Sequence, residues 1–179
     1  MATLRIPVSE QDNRQGNNSA PLVLVEYGDY QCPHCGKAYP VVKKLQEEFG
    51  ENLRFVFRNF ALTKIHPYAF LAAVSSEAAA KQNAFWEMHD WLFENQAHIT
   101  PGNIKAFAES LNLNMDQFKQ DQESETLKNK VEADFMGGMR SGVNATPSFF
   151  INGEKFEGPA VHITLRSVLK NILDQTGNL

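Results

Sequence analysis

Apolar and polar positions alternate with three different textures along the chain. "LVLVEY" (22–27) is apolar on both alternating faces, the pattern of a strand covered on both sides. "GKAYPVVKKLQEEFG" (36–50) then reads as a helix ending at Gly50, and "LRFVFRNFAL" (53–62) as a second buried strand. A right-handed parallel crossover is the default for such a strand–helix–strand unit. Upstream, "TLRIPV" (3–8) reads as a short edge strand, because Pro7 lacks the N–H that a central strand would need. The polar stretch 9–21 reads as a loop.

From His66 to about Arg140 the pattern is helical throughout. Phe70, Leu71, Val74 and Ala78 fall at helical spacing, as do Phe85, Met88, His89 and Leu92, and then Leu127, Val131, Phe135 and Met139. Thr100 before Pro101 reads as an N-cap followed by proline at the first helical position. Asn114 with Gln117 resembles a capping box. Four or five helices without strands are expected here, with Gly137-Gly138 as a possible interruption. Sheet returns with "SFFI" (148–151), an Asn152-Gly153 type I′ turn and "EKFEG" (154–158), followed by an amphipathic helix over 161–173. The order is βαβ, a helical insertion, then ββα. The sheet parts are about 1–63 and 144–179, with the inserted helical subdomain at about 64–143.

A chain of 179 residues suits a single domain with an elaboration. Its net charge of -4, with no block of like charges, argues against nucleic acid or an anionic membrane surface as partner. No apolar run reaches the length of a membrane span, so membrane insertion is not expected. The first residues, "MATLRIPVSEQDNRQGNNSAP", lack the apolar stretch of a secretory signal. The expected compartment is therefore the cytoplasm, or a periplasmic or other extracytoplasmic one if the chain is a trimmed mature form.

Both cysteines of the chain lie in "CPHC", Cys32 to Cys35. A disulfide across so short a loop stabilises by only about 2 kcal/mol, too little to be its purpose in a domain of this size. A zinc site needs four ligands, and there is neither a second such pair nor an H-x3-5-H spacing among His66, His89, His98 and His162. A redox pair is the stronger reading. Pro33 suits the first helical position, which makes Cys32 the cap, facing the first-turn N–H groups and the positive end of the helix dipole. That environment lowers a thiol pKa and supplies thiolate at neutral pH. His34 adds a donor or a positive charge beside the sulfur. Cys32 then attacks, and Cys35, one turn inside the helix, resolves. Pro40 should kink the helix over Gly36. Glu26 is a carboxyl in an apolar strand, costly to bury unless neutral or paired, and placed to exchange a proton with Cys35.

With an acid six residues before Cys32 and a proline five after Cys35, the motif resembles thioredoxin-fold oxidoreductases. The CPHC tetrapeptide and the helical block between two sheet halves resemble the DsbA family of thiol–disulfide oxidoreductases in particular. The resemblance implies an α/β thioredoxin-like fold with a helical insertion. It also implies that "NATPSFFING" carries a cis peptide at Pro147, where the Thr146 backbone pairs with an extended substrate segment. The implied activity is disulfide exchange with cysteines of proteins or peptides, reset by a redox partner, with no metal or bound organic cofactor. The direction of exchange stays open: a couple near about −120 mV would rest as the dithiol against a cytosolic poise of about −220 mV or lower. Two other classes remain: a non-catalytic peptide-binding module of the same fold, and a zinc-binding interaction domain. Of the aromatics, Phe85, Trp86, Trp91 and Phe93 read as helical core before substrate groove, and His89 as a core histidine. His66 reads as a helix-start residue.

Overall fold

The computed structural model describes residues 1–177. Five strands form one mixed sheet: β1 (Asn13–Gly16), β2 (Leu22–Gly28), β3 (Leu53–Asn59), β4 (Ser148–Ile151) and β5 (Glu154–Lys155). Their order is β1-β3-β2-β4-β5, with β2 and β3 parallel and the other pairings antiparallel. Helix α1 (Pro33–Phe49) makes the crossover between β2 and β3. Between β3 and β4 run α2 (Ala69–Ala80), α3 (Phe85–Glu94), α4 (Pro101–Ser110), α5 (Met115–Glu123) and α6 (Glu125–Arg140). Helix α7 (His162–Thr176) follows the last hairpin. The fold is thioredoxin-like, with five helices standing between the two halves of the sheet.

The two faces of the sheet bury different sets. Leu22, Leu24, Phe55, Phe57, Phe149 and Ile151 pack with Ala38, Val42 and Leu45 of α1 and with Leu165 and Leu169 of α7. Val25, Tyr27, Val56 and Phe150 form a smaller cluster on the opposite face with Phe60, Val143 and Phe135. This double burial explains why β2 is a continuous apolar run and not an alternating one. Thr100 and Asn114 cap α4 and α5, accepting from Asn103 N–H at 3.1 Å and Gln117 N–H at 3.0 Å. Asn152 (φ 48°) and Gly153 (φ 87°) are both left-handed, as a type I′ turn requires.

The edge strand is not where the sequence pattern puts it. Residues 3–8 contribute a single bridge, Thr3 to Glu154, and β1 lies instead within the polar stretch 9–21. The reason is Arg58, which spends its five donors on the Ile6 and Pro7 carbonyls, the Tyr27 hydroxyl and both oxygens of Asp12. It holds 3–8 as an irregular strap. In β1, Asn13 donates to buried Glu77 and Gln15 pairs with Gln46, at 2.8 Å each, so a polar segment finds partners in an edge position. β3 stops at Asn59, short of 62, and β5 is limited to two residues, with one further bond from Phe156 N–H to the Phe149 carbonyl. Gly137-Gly138 does not interrupt α6. A Cβ on Gly138 would stand 2.8 Å from the Phe60 ring and 2.9 Å from Tyr27, so glycine lets this helix lie close on the sheet.

Candidate active site

β2 delivers the chain into the site through Asp29, Tyr30 and Gln31, all held by tertiary bonds. The Asp29 carboxylate is buried and accepts from the N–H of Gln31 (2.7 Å), the N–H of Leu62 (2.8 Å) and His66 Nδ1 (2.8 Å). Gln31 Oε1 accepts from Tyr68 N–H. Buried Tyr30 meets His89 Nδ1 through its hydroxyl at 3.0 Å, and burial holds His89 neutral, well below the usual histidine range. The turn closes with Cys32 N–H on the Asp29 carbonyl at 3.1 Å, and α1 begins at once with Pro33.

Cys32 is the N-cap of α1, with φ −71° and ψ 120°. Its sulfur lies 3.5 Å from the Thr146 carbonyl, across from the cis Thr146–Pro147 peptide. The thiol is lowered to about 5, first by a hydrogen bond from Cys35. Burial opposes this, while Thr146 and the backbone N–H groups of Cys35 and His34 add to it. Cys35 is fully buried and its thiol is pushed far up, by burial first and then by its bond to Cys32 and by Glu26. Asp29 N–H points at the Cys35 sulfur from 3.5 Å. The pair is thus asymmetric: one sulfur favours thiolate, the other thiol.

Glu26 sits two residues before the end of β2, between Phe57 of β3 and Phe149 of β4, and is 2% exposed. Its carboxyl is raised to about 8, by burial first and then by Cys32, and Oε1 has no hydrogen-bond partner. A void of about 10 Å³ lies against it, lined by Gln15, Lys43, Gln46, Trp86 and His89 among others. Pro33 and the His34 side chain are exposed. His34 reaches the sulfur through its backbone N–H. Among the described residues no group of three or more His, Cys, Asp or Glu side chains gathers as a metal-ligand set.

The structure therefore brings Cys32, Cys35, Glu26, Thr146 and Pro147 to one end of the sheet. It adds Asp29, Gln31, His66 and Gln96, which the sequence reading does not assign to the site. Asp29, three residues before Cys32, carried a local signal as an acid in the turn. Gln96 carried none, since only the tertiary fold brings it there.

The thioredoxin family model matches residues 8–171. The chain belongs to the thioredoxin family. Among solved members of this fold, BdbD from Bacillus subtilis superposes with a TM-score of 0.84 at 27% identity, over 97% of this chain and 98% of that one. Alpha-DsbA1 of Wolbachia pipientis gives 0.80 at 23%, over 96% and 95%. The catalytic domain of Proteus mirabilis ScsC gives 0.77 at 20%, over 93% and 91%. These last two likenesses carry the DsbA-like fold. Curated relatives are more similar in sequence but much longer. The Na(+)/H(+) antiporter NhaA 1 of Salinispora arenicola is 41% identical over 87% of this chain, which spans 24% of it. The antiporter of the same name from Mycobacterium sp. strain KMS is 40% identical over 88%, with 26% of its length covered. This thioredoxin-family chain thus spans about a quarter of those relatives.

Proposed function

We propose that the protein is a thiol–disulfide oxidoreductase acting on cysteines of proteins or peptides through Cys32 and Cys35. The observation that carries this reading is the asymmetry of the pair: Cys32 capping α1 with its thiol lowered to about 5, and Cys35 buried behind it as a thiol. In the disulfide-donating direction, a substrate thiolate attacks Cys32 of the Cys32–Cys35 disulfide. The Cys35 sulfur leaves and takes a proton, for which Glu26 is the donor. A second substrate thiolate then attacks the substrate sulfur of the mixed disulfide, forming the substrate disulfide and expelling the Cys32 thiolate. In the reducing direction the same steps run backwards, with Glu26 accepting the Cys35 proton as Cys35 resolves the mixed disulfide. The backbone at Thr146–Pro147 receives the extended substrate segment beside the Cys32 sulfur. The helical segment at 64–143 is the inserted subdomain of this reading.

A stabilised Cys32 thiolate favours the dithiol form, so the couple is oxidising and the preferred direction is donation of disulfides. A donor needs an oxidising compartment and a partner that reoxidises it, which favours an extracytoplasmic site of action over the cytoplasm. No described helix is long and apolar enough to cross a membrane, and the proposal covers exchange alone. The test is equilibration against glutathione buffers together with disulfide transfer to a reduced, unfolded protein. The expected potential lies nearer about −120 mV than −270 mV, with transfer abolished in Cys32→Ala. A potential near −270 mV would overturn the donor direction, and transfer that persists in Cys32→Ala would overturn the whole reading.

A further inference from the structure

Gln96 opens a 3-10 turn, Gln96–His98, between α3 and α4, remote in sequence from both cysteines. Its Nε2 donates twice, to the Tyr30 carbonyl at 2.8 Å and to the Cys32 carbonyl at 2.9 Å. Two carbonyl oxygens can be met only by the nitrogen end of the amide, so the contacts themselves set its orientation. The amide lies against Gly36: a Cβ there would stand 2.1 Å from Gln96 Oε1 and 2.7 Å from Cδ. The Cys32 carbonyl is also the first acceptor of α1, taking Gly36 N–H at 3.0 Å. Gln96 supplies its second donor.

We propose that Gln96 is a positioning residue of the exchange site, carried in from the helical segment to hold the active-site turn on both sides of Gln31. The inference rests on the reading of Cys32 as the attacking group. With its carbonyl held by two donors, Cys32 keeps the extended cap geometry that separates its carbonyl from its sulfur. The first-turn N–H groups of His34 and Cys35 then stay aimed at that sulfur. Without the amide, the Tyr30 carbonyl loses a donor beside a buried ring, and the turn is free to rotate its peptides towards other partners. Glycine at position 36 leaves room for the amide, which an alanine would displace.

Two variants test this by different routes. Gln96→Met keeps length and neutrality but has no donors. Gly36→Ala keeps Gln96 yet pushes its amide off the turn, and because alanine favours helix and the displaced atoms end a flexible side chain, the fold is retained. For each, the pH midpoint of Cys32 alkylation and the equilibrium constant with glutathione are measured beside the thermal midpoint. Both variants are expected to raise the alkylation midpoint by about one pH unit and to make the couple about tenfold less oxidising. If either folded variant keeps wild-type values for both, even with a lowered thermal midpoint, the role is purely structural and the proposal fails. Should Gln96→Met not fold, Gly36→Ala decides alone. A wild-type midpoint near 8.5 would instead overturn the reading of Cys32 itself, and the positioning role with it.

Discussion

Two acids of the site lie on opposite sides of neutrality for separable reasons. Hydrogen bonds bring Cys32 down to about 5 against the effect of burial, whereas burial takes Glu26 up to about 8 with nothing on Oε1 to oppose it. A carboxyl whose folded pKa is raised contributes stability that is fully present below its unfolded value and lost as pH rises through the folded one. For Glu26 that window runs from about 4.5 to about 8. Glu26→Gln removes the loss, so the variant should gain on wild type across that window, by roughly 3–5 kcal/mol less what its buried amide costs. Denaturant unfolding at pH 5 and pH 8 checks this, and an advantage that does not grow with pH counts against a buried, ionising Glu26. The same variant should slow resolution of mixed disulfides more than their formation, each relative to wild type, measured by stopped-flow trapping. Glu26 and the cysteine pair were legible in the sequence because their signals are local: a charge inside an apolar run, and two thiols one turn apart before a proline. His66 and Gln96 were not, because each acts through bonds closed by the tertiary fold.

At the scale of elements, the strands and helices with a strong period came through and the ones without it did not. β2, α1, β3 and the Asn152-Gly153 hairpin each carry an apolar pattern or turn chemistry that decides their form. β1 is a strand because Asn13 and Gln15 find partners on α2 and α1, a fact no propensity contains. The glycine pair of α6 shows the converse, a breaker signal overridden by packing. Its two members should respond differently to a methyl group. At Gly138 a Cβ meets the Phe60 and Tyr27 rings at 2.8 and 2.9 Å, and both rings are buried. At Gly137 it meets Ile6 Cγ1 at 3.1 Å, a side chain that is 44% exposed and free to move. Gly138→Ala is therefore expected to destabilise by about 1–3 kcal/mol through overpacking, even after the helix-propensity gain. Gly137→Ala should be neutral or stabilising by about 0.5–1 kcal/mol. Denaturant midpoints for the pair decide, and equal losses at both positions would mean that α6 tolerates no side chain on this face for some reason other than the rings.

For the molecule as a whole, the thiolate proposed to attack substrates also sets which redox form is more stable. Closing the Cys32–Cys35 disulfide constrains the unfolded chain and stabilises the oxidised form by about 2 kcal/mol. Opposing it, the reduced form holds a Cys32 whose folded pKa of about 5 lies below its unfolded value, near 8.5. A depressed pKa contributes stability that is fully present above the unfolded value and lost as pH falls through the folded one. That contribution to the reduced form is therefore absent below about pH 5 and grows toward pH 8, to roughly 1–2 kcal/mol at pH 7 once solvent screening is allowed for. The burial of Glu26 costs both redox forms as pH rises, so it largely cancels in their difference. Below pH 5 the oxidised protein should have the higher thermal midpoint. Between pH 5 and pH 8 the gap should close or reverse as the thiolate forms. Calorimetry of the fully oxidised and fully reduced protein, at pH 4.5, 6 and 7.5, measures this directly. A gap that stays constant across those three conditions would mean that the fold does not stabilise the Cys32 thiolate, and the argument for a disulfide donor would lose its thermodynamic basis.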